Sequence, residues 1–180
     1  MYLFLLNPKQ VWITGAFALL ALGGGLFGIS AATQAQSKAD QDQNAALQAV
    51  AKMTEGQRTY YQKNGKFKTI VKDLKKDFGI TLPSTLNYAV RTTSEAAYSY
   101  VIPAKSTPLT GKLKAYVGGA FITPKQNPKI ITIICQNTKP GQIRPADPQL
   151  VRGTDPANPT KLALQCGDFS TEVPASEVNE

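Results

Sequence analysis

ALQAVAKMTEGQRTYYQKNGKF, residues 46–67, is the stretch whose reading decides the fold. Ala46, Val50, Met53, Gln57 and Tyr60/Tyr61 step by three or four positions, which lays them along one stripe of a helix. Working back from this stretch, no proline interrupts residues 36–64, and Gly56 is the only glycine among them. Asn64-Gly65 supplies the stop, because glycine enters a left-handed cap without a steric penalty. The spacing predicts an amphipathic helix over 36–64.

Upstream, Val11 to Ala32 reads VWITGAFALLALGGGLFGISAA and holds no charged residue. A helix of that length rises roughly 33 Å, enough to cross a bilayer core. Its five glycines weaken a helix in water but are tolerated in lipid, where they permit close helix contact. Lys9 precedes the block, and Lys38, Asp40 and Asp42 follow it. The charge bias points N-terminus inward and the remainder outward. Residues 11–32 are thus expected as a single-pass anchor that continues into the amphipathic helix as one rod. The rival expectation is a leader cut near Ala35, after Thr33-Gln34. Either places the later residues outside the cytoplasm, with 1–35 as anchor or leader.

Downstream, residues 65–79 are expected as a lysine-rich loop and a short helix, with Ile70, Leu74 and Phe78 along one narrow face. From Leu86 the period changes to two. Tyr88 and Val90, then Tyr98, Tyr100 and Ile102, alternate as strands do. KAYVGGAFI (residues 114–122) and IITIIC (residues 130–135) read as two more strands. Pro124 and Pro128 bracket the turn between them, so they pair most simply as a hairpin. Gly118-Gly119 marks a bulge or a close backbone approach. Residues 137–160, with five prolines, are expected as a long loop. Residues 161–166 are expected as the final strand, and 168–180 as an acidic flexible tail. The domain proper is therefore 36–167, of α+β class: a long helix packed on a small antiparallel sheet. No internal repeat is apparent.

The chain carries a net charge of +8 and no histidine. The missing histidine removes the commonest general base and metal ligand. Two cysteines alone cannot build a four-ligand zinc site. Cys135 and Cys166 lie beyond the apolar block and flank the proline-rich loop, so a disulfide is expected, against the alternative of two free thiols. Arg58, Lys63, Lys66, Lys68, Lys72, Lys75 and Lys76 crowd one segment, with Tyr60, Tyr61 and Phe67 interleaved. That composition suits an anionic partner such as DNA or acidic polysaccharide. It equally suits a solvated face over an aromatic core. Asp73 and Asp77 sit four apart among lysines and do not read as a catalytic pair. No nucleophile elbow, phosphate loop or metal spacing is present, and the expectation is no enzyme, no cofactor, no metal and no small-molecule substrate.

EGQRTYYQKNGKF (residues 55–67) resembles the point where pilin-like chains leave their long helix. Leu74 to Ile80 resembles the segment that follows. Residues 115–121 (AYVGGAF) with Ile133-Ile134-Cys135 resemble the sheet of the type IV pilin-like G and H family. The likeness covers roughly residues 45–166. It implies a lollipop plan: an apolar N-terminal helix running into an amphipathic half, then a small sheet with a late disulfide. It also implies a structural role with protein partners gathered through the N-terminal helix, in a type IV pilus or a secretion-type filament. The chain departs from pilins at the processing site. Gly15 is followed by Ala16, and Leu20 stands where pilins carry a glutamate. The alternative function is a secreted or anchored module that binds an anionic polymer on its basic face.

Overall fold

The computed structural model describes residues 30–105, 107–108, 110–123, 129–152 and 162–178. The apolar block 11–32, apart from its last three residues, lies outside them. Among the described residues no helix is long and apolar enough to cross a membrane.

Helix α1 runs Ser30–Asn64. Ala46, Val50, Met53 and Gln57 are buried as their spacing predicts, and Ala39, Asp42, Leu47, Ala49 and Thr54 join them. Many of these side chains are small, so the helix axis comes close to the sheet. Val50 and Met53 are fully enclosed, each stabilising by about 1.5–3 kcal/mol relative to exposure. Gly65 ends the helix in the left-handed region at φ 67°, with its N–H donating to the Tyr61 carbonyl at 2.8 Å.

Helix α2 spans only Leu74–Phe78. Asp73 caps it by accepting from the Lys76 N–H, and Gly79 closes it at φ 69°. This corrects the expected apolar face. Ile70 precedes the cap and is 65% exposed, whereas Leu74 is buried.

The sheet is a meander extended at one edge. Strands β1 (Leu86–Thr92), β2 (Ala96–Pro103), β3 (Tyr116–Ile122) and β4 (Ile130–Asn137) pair antiparallel in chain order. The expected β3–β4 hairpin is present. The residues expected as loop and tail need three corrections. First, the proline-rich segment carries β5 (Gln149–Arg152), paired with β6 (Leu162–Gln165) in a separate ribbon. Second, β6 is not the last strand: β7 (Ser170–Glu172) pairs with β4 and completes the order β1-β2-β3-β4-β7. Third, residues 168–178 are not a frayed tail, since Val173 is buried and its N–H reaches the Ile134 carbonyl at 2.9 Å. Helix α3 (Ala175–Val178) follows and is tied to α1, with Gln48 Nε2 donating to the Val178 carbonyl at 3.0 Å. An unpaired β4 edge and a buried valine outweigh the acidic composition of this stretch.

Both faces of the sheet are covered. Val101, Tyr116 and Ile134 face α1 in one core cluster. Tyr100, Val117, Phe121, Ile133 and Cys135 form a second, against Leu150, Leu164 and Cys166 of the ribbon. Gly118 and Gly119 serve one face each. A Cβ on Gly118 would stand 1.8 Å from Thr54 Oγ1, and one on Gly119 would stand 2.8 Å from Pro148 Cγ. Close backbone approach, rather than a bulge, is what the glycine pair provides.

Candidate functional site

Two glutamines on α1 fix loops through their backbone, and one of them holds the loop that displays the basic segment. Gln57 is fully buried yet satisfied. Its Oε1 accepts from the Lys68 N–H and its Nε2 donates to the Lys68 carbonyl, both at 2.9 Å. Gln43 treats Lys114 the same way, at 2.8 and 3.3 Å. Each amide imitates a strand neighbour and removes the cost of burying an unpaired backbone group. Phe67 is buried, with its ring 4.8 Å from that of Tyr61. The interleaved aromatics therefore serve the core first.

Within this frame the seven predicted basic residues divide. Arg58 forms a two-point pair with Glu55, at 2.7 and 2.8 Å. Lys68 pairs with Asp77 at 2.9 Å and lies 5.2 Å from the centre of the Tyr60 ring. That hydrogen bond from Lys68, assisted by the Asp73 N–H, holds the Asp77 carboxyl below its ordinary value, against an opposing effect of burial. Lys63, Lys66, Lys72, Lys75 and Lys76 are exposed on the end of α1, the loop after it, and α2. An open groove of about 880 Å³ lies beside them, between α1 and the β4–β7 edge. Its charge is mixed, with Lys52 and Lys63 against Glu55, Asp77 and Glu172.

Cys135 and Cys166 are joined, with Cα atoms 5.7 Å apart. The bond fastens the end of the β5–β6 ribbon to the middle of β4. A second fastening was not read from the sequence. Arg144 lies 4.1 Å from the Tyr100 ring centre and donates to the Tyr100 hydroxyl at 2.7 Å. Arg91 lies 4.3 Å from the Tyr98 ring centre, and both Arg91 and Tyr100 hydrogen-bond Asp147. The signal was present in the alternation of Tyr98 and Tyr100, which puts both rings on one face. What Arg144 and Asp147 contribute from the loop carries no local pattern. Among the described residues no group of three His, Cys, Asp or Glu can hold a metal ion.

A long helix packed on an antiparallel meander, with a late disulfide, defines an α+β head. Residues 43–167 match the type IV pilin-like G and H family, and the chain belongs to it. The family is one of pilus- or pseudopilin-type structural proteins. No curated protein and no solved structure matches the chain.

Proposed function

We propose that this chain is a membrane-anchored, extracytoplasmic structural protein that assembles with other proteins through its N-terminal helix, as a minor component of a pilus or secretion-type filament. One observation carries the reading. Twenty-two uncharged residues, 11–32, lead in sequence into α1, and among the described side chains of α1 Ala39 is the first that is buried. The disulfide supports an oxidising location. Leu20, in place of the usual glutamate, favours an accessory position over the repeating body of a filament. The test is the N-terminal sequence of the mature protein together with extraction by alkaline carbonate. A chain that resists extraction and begins before residue 36 is expected. A freely released chain that begins near Gln36 overturns the anchor.

A second reading rests on the exposure of Lys63, Lys66, Lys72, Lys75 and Lys76. Those five suit an acidic polysaccharide or DNA. Binding would then fall steeply with salt as counterions are released, and salt-independent or absent binding removes this reading.

A further inference from the structure

The strands run along α1, and two contacts give the direction. Gln43 holds Lys114 just before β3, while Thr54 meets Gly118 within it. The start of β3, the ends of β2 and β4, and the start of β7 therefore lie toward the beginning of α1. Thr85, just before β1, is there too, donating to Asp42 at 2.8 Å. The connections at this end expose Lys105, Lys112 and Lys139. They also expose two of the three large apolar side chains found exposed among the described residues, Ile143 at 63% and Phe169 at 85%.

The backbone is held in place at both positions. Asn137 Nδ2 donates to the Ile143 carbonyl at 2.7 Å, and the Thr138 N–H donates to the Phe169 carbonyl at 2.9 Å. Consecutive residues at the end of β4 thus carry both apolar groups. Phe169 also adopts φ 57°, a left-handed conformation that bulky residues avoid. The acids at this end are exposed Asp40 and Asp168, buried Asp42, and Glu177, whose charge acts on Tyr116 at the start of β3. Lys38 is also here and pairs with Asp42 at 3.8 Å. With half-buried Lys114 counted, five lysines face these four acids, a slight positive balance carried on the connections by Lys105, Lys112 and Lys139.

We propose that this end of the head is a membrane-facing surface, with Phe169 and Ile143 seated in the interfacial layer and Lys105, Lys112 and Lys139 on anionic headgroups. The inference rests on the anchor reading above. Ala39, the first buried side chain among those described in α1, follows Ala32 by seven residues, a rise of roughly 10 Å along a helix. The polar layer outside the hydrocarbon core is roughly 5–8 Å deep on each side. Ala39 then stands roughly 2–5 Å outside that layer, and the loops that reach down beside the start of α1 meet headgroups if residues 11–32 span the core. Aromatic rings favour that layer, and lysines near it are drawn to anionic lipid.

Both native cysteines are bonded to each other, so a single introduced cysteine can carry a nitroxide label. Phe169→Cys, Ile143→Cys and, at the far end of the head, Lys66→Cys would be labelled in the full chain. Each would be reconstituted in phosphatidylcholine vesicles with and without phosphatidylglycerol. Accessibility to oxygen and to a water-soluble nickel complex is then read at each site. Labels at 169 and 143 are expected to be shielded from nickel in the anionic vesicles, while the label at 66 stays in water. Reversing Lys105, Lys112 and Lys139 to Glu should remove the shielding, each reversal weakening contact by about fivefold or more. Phe169→Gly relieves the left-handed backbone, so it should keep the melting temperature and still reduce head contact. Labels at 169 and 143 as open to nickel as the label at 66, on a chain that resists carbonate, overturn this surface and leave the anchor standing. A chain released by carbonate overturns the anchor and the surface with it. Shielding that appears only at high protein-to-lipid ratio assigns the face to a second copy and also overturns the proposal.

Discussion

Gly118 has Thr54 of α1 directly over its Cα, and Gly119 has Pro148 over the opposite face. A methyl group at either position must displace something, and at Gly118 the nearest atom is a hydroxyl already donating to the Val50 carbonyl at 2.7 Å. Gly118→Ala is therefore expected to destabilise the protein by about 1–3 kcal/mol, the usual cost of overpacking. Adding Thr54→Ala should return part of the loss, as measured by urea unfolding of the two single variants and the double. If Gly118→Ala leaves stability unchanged, helix and sheet are not in the contact described. Gly56 repeats the pattern on α1, where the Phe78 ring lies 2.3 Å from where a Cβ would be. Gly118-Gly119 was legible as a bulge or a close approach, whereas Gly56 carried no such mark. The neighbour that approaches was legible in neither case, because it lies far away in the chain.

Elements depend on ties that period and propensity do not register. The loop after α1 is held by Gln57 on one side and by the Lys68–Asp77 pair on the other. Because the native Asp77 carboxyl titrates below its unfolded value, its stabilising effect is present above pH about 4 and is lost as pH falls through the depressed native value. Between pH 5 and pH 2 the wild type should therefore lose more stability than Asp77→Asn, compared by thermal melts across that range. Equal losses would mean that the pair contributes nothing to folding. Strand β7 is the other case. It lies beyond the family match, which ends at residue 167, yet it covers the edge of β4. Deleting residues 168–180 should lower the melting temperature and promote association through the freed edge, detected by light scattering. A truncated chain that melts as before and stays monomeric would make β7 dispensable.

For the molecule as a whole, one covalent bond joins the sheet to the ribbon that covers part of one of its faces. The Cys135–Cys166 bridge spans 31 residues. In the loop-entropy picture, opening it costs about 3–4 kcal/mol. Unfolding of the wild type with and without reductant, beside a Cys135→Ala/Cys166→Ala double variant, should give matching losses of that size. A loss confined to the β5–β6 ribbon, seen by hydrogen exchange while β1–β4 stay protected, would place the bridge outside the main cooperative unit.

The amphipathic helix, its stop at Gly65, the β3–β4 hairpin and the motifs of the family were legible in the chain because each rests on residues near in sequence, and the cysteine pair because two cysteines beyond an apolar block admit a single pairing. Short-range periodicity and turn chemistry act whatever the distant surroundings. The division of the basic segment into paired and exposed members was not legible, nor were the Arg144–Tyr100 contact and strand β7. An ion pair depends on which carboxylate lies within a few ångströms, and a weak three-residue strand forms only when an open edge awaits it. Tertiary structure alone decides these, since it alone brings residues 68 and 77, 100 and 144, or 135 and 172 side by side.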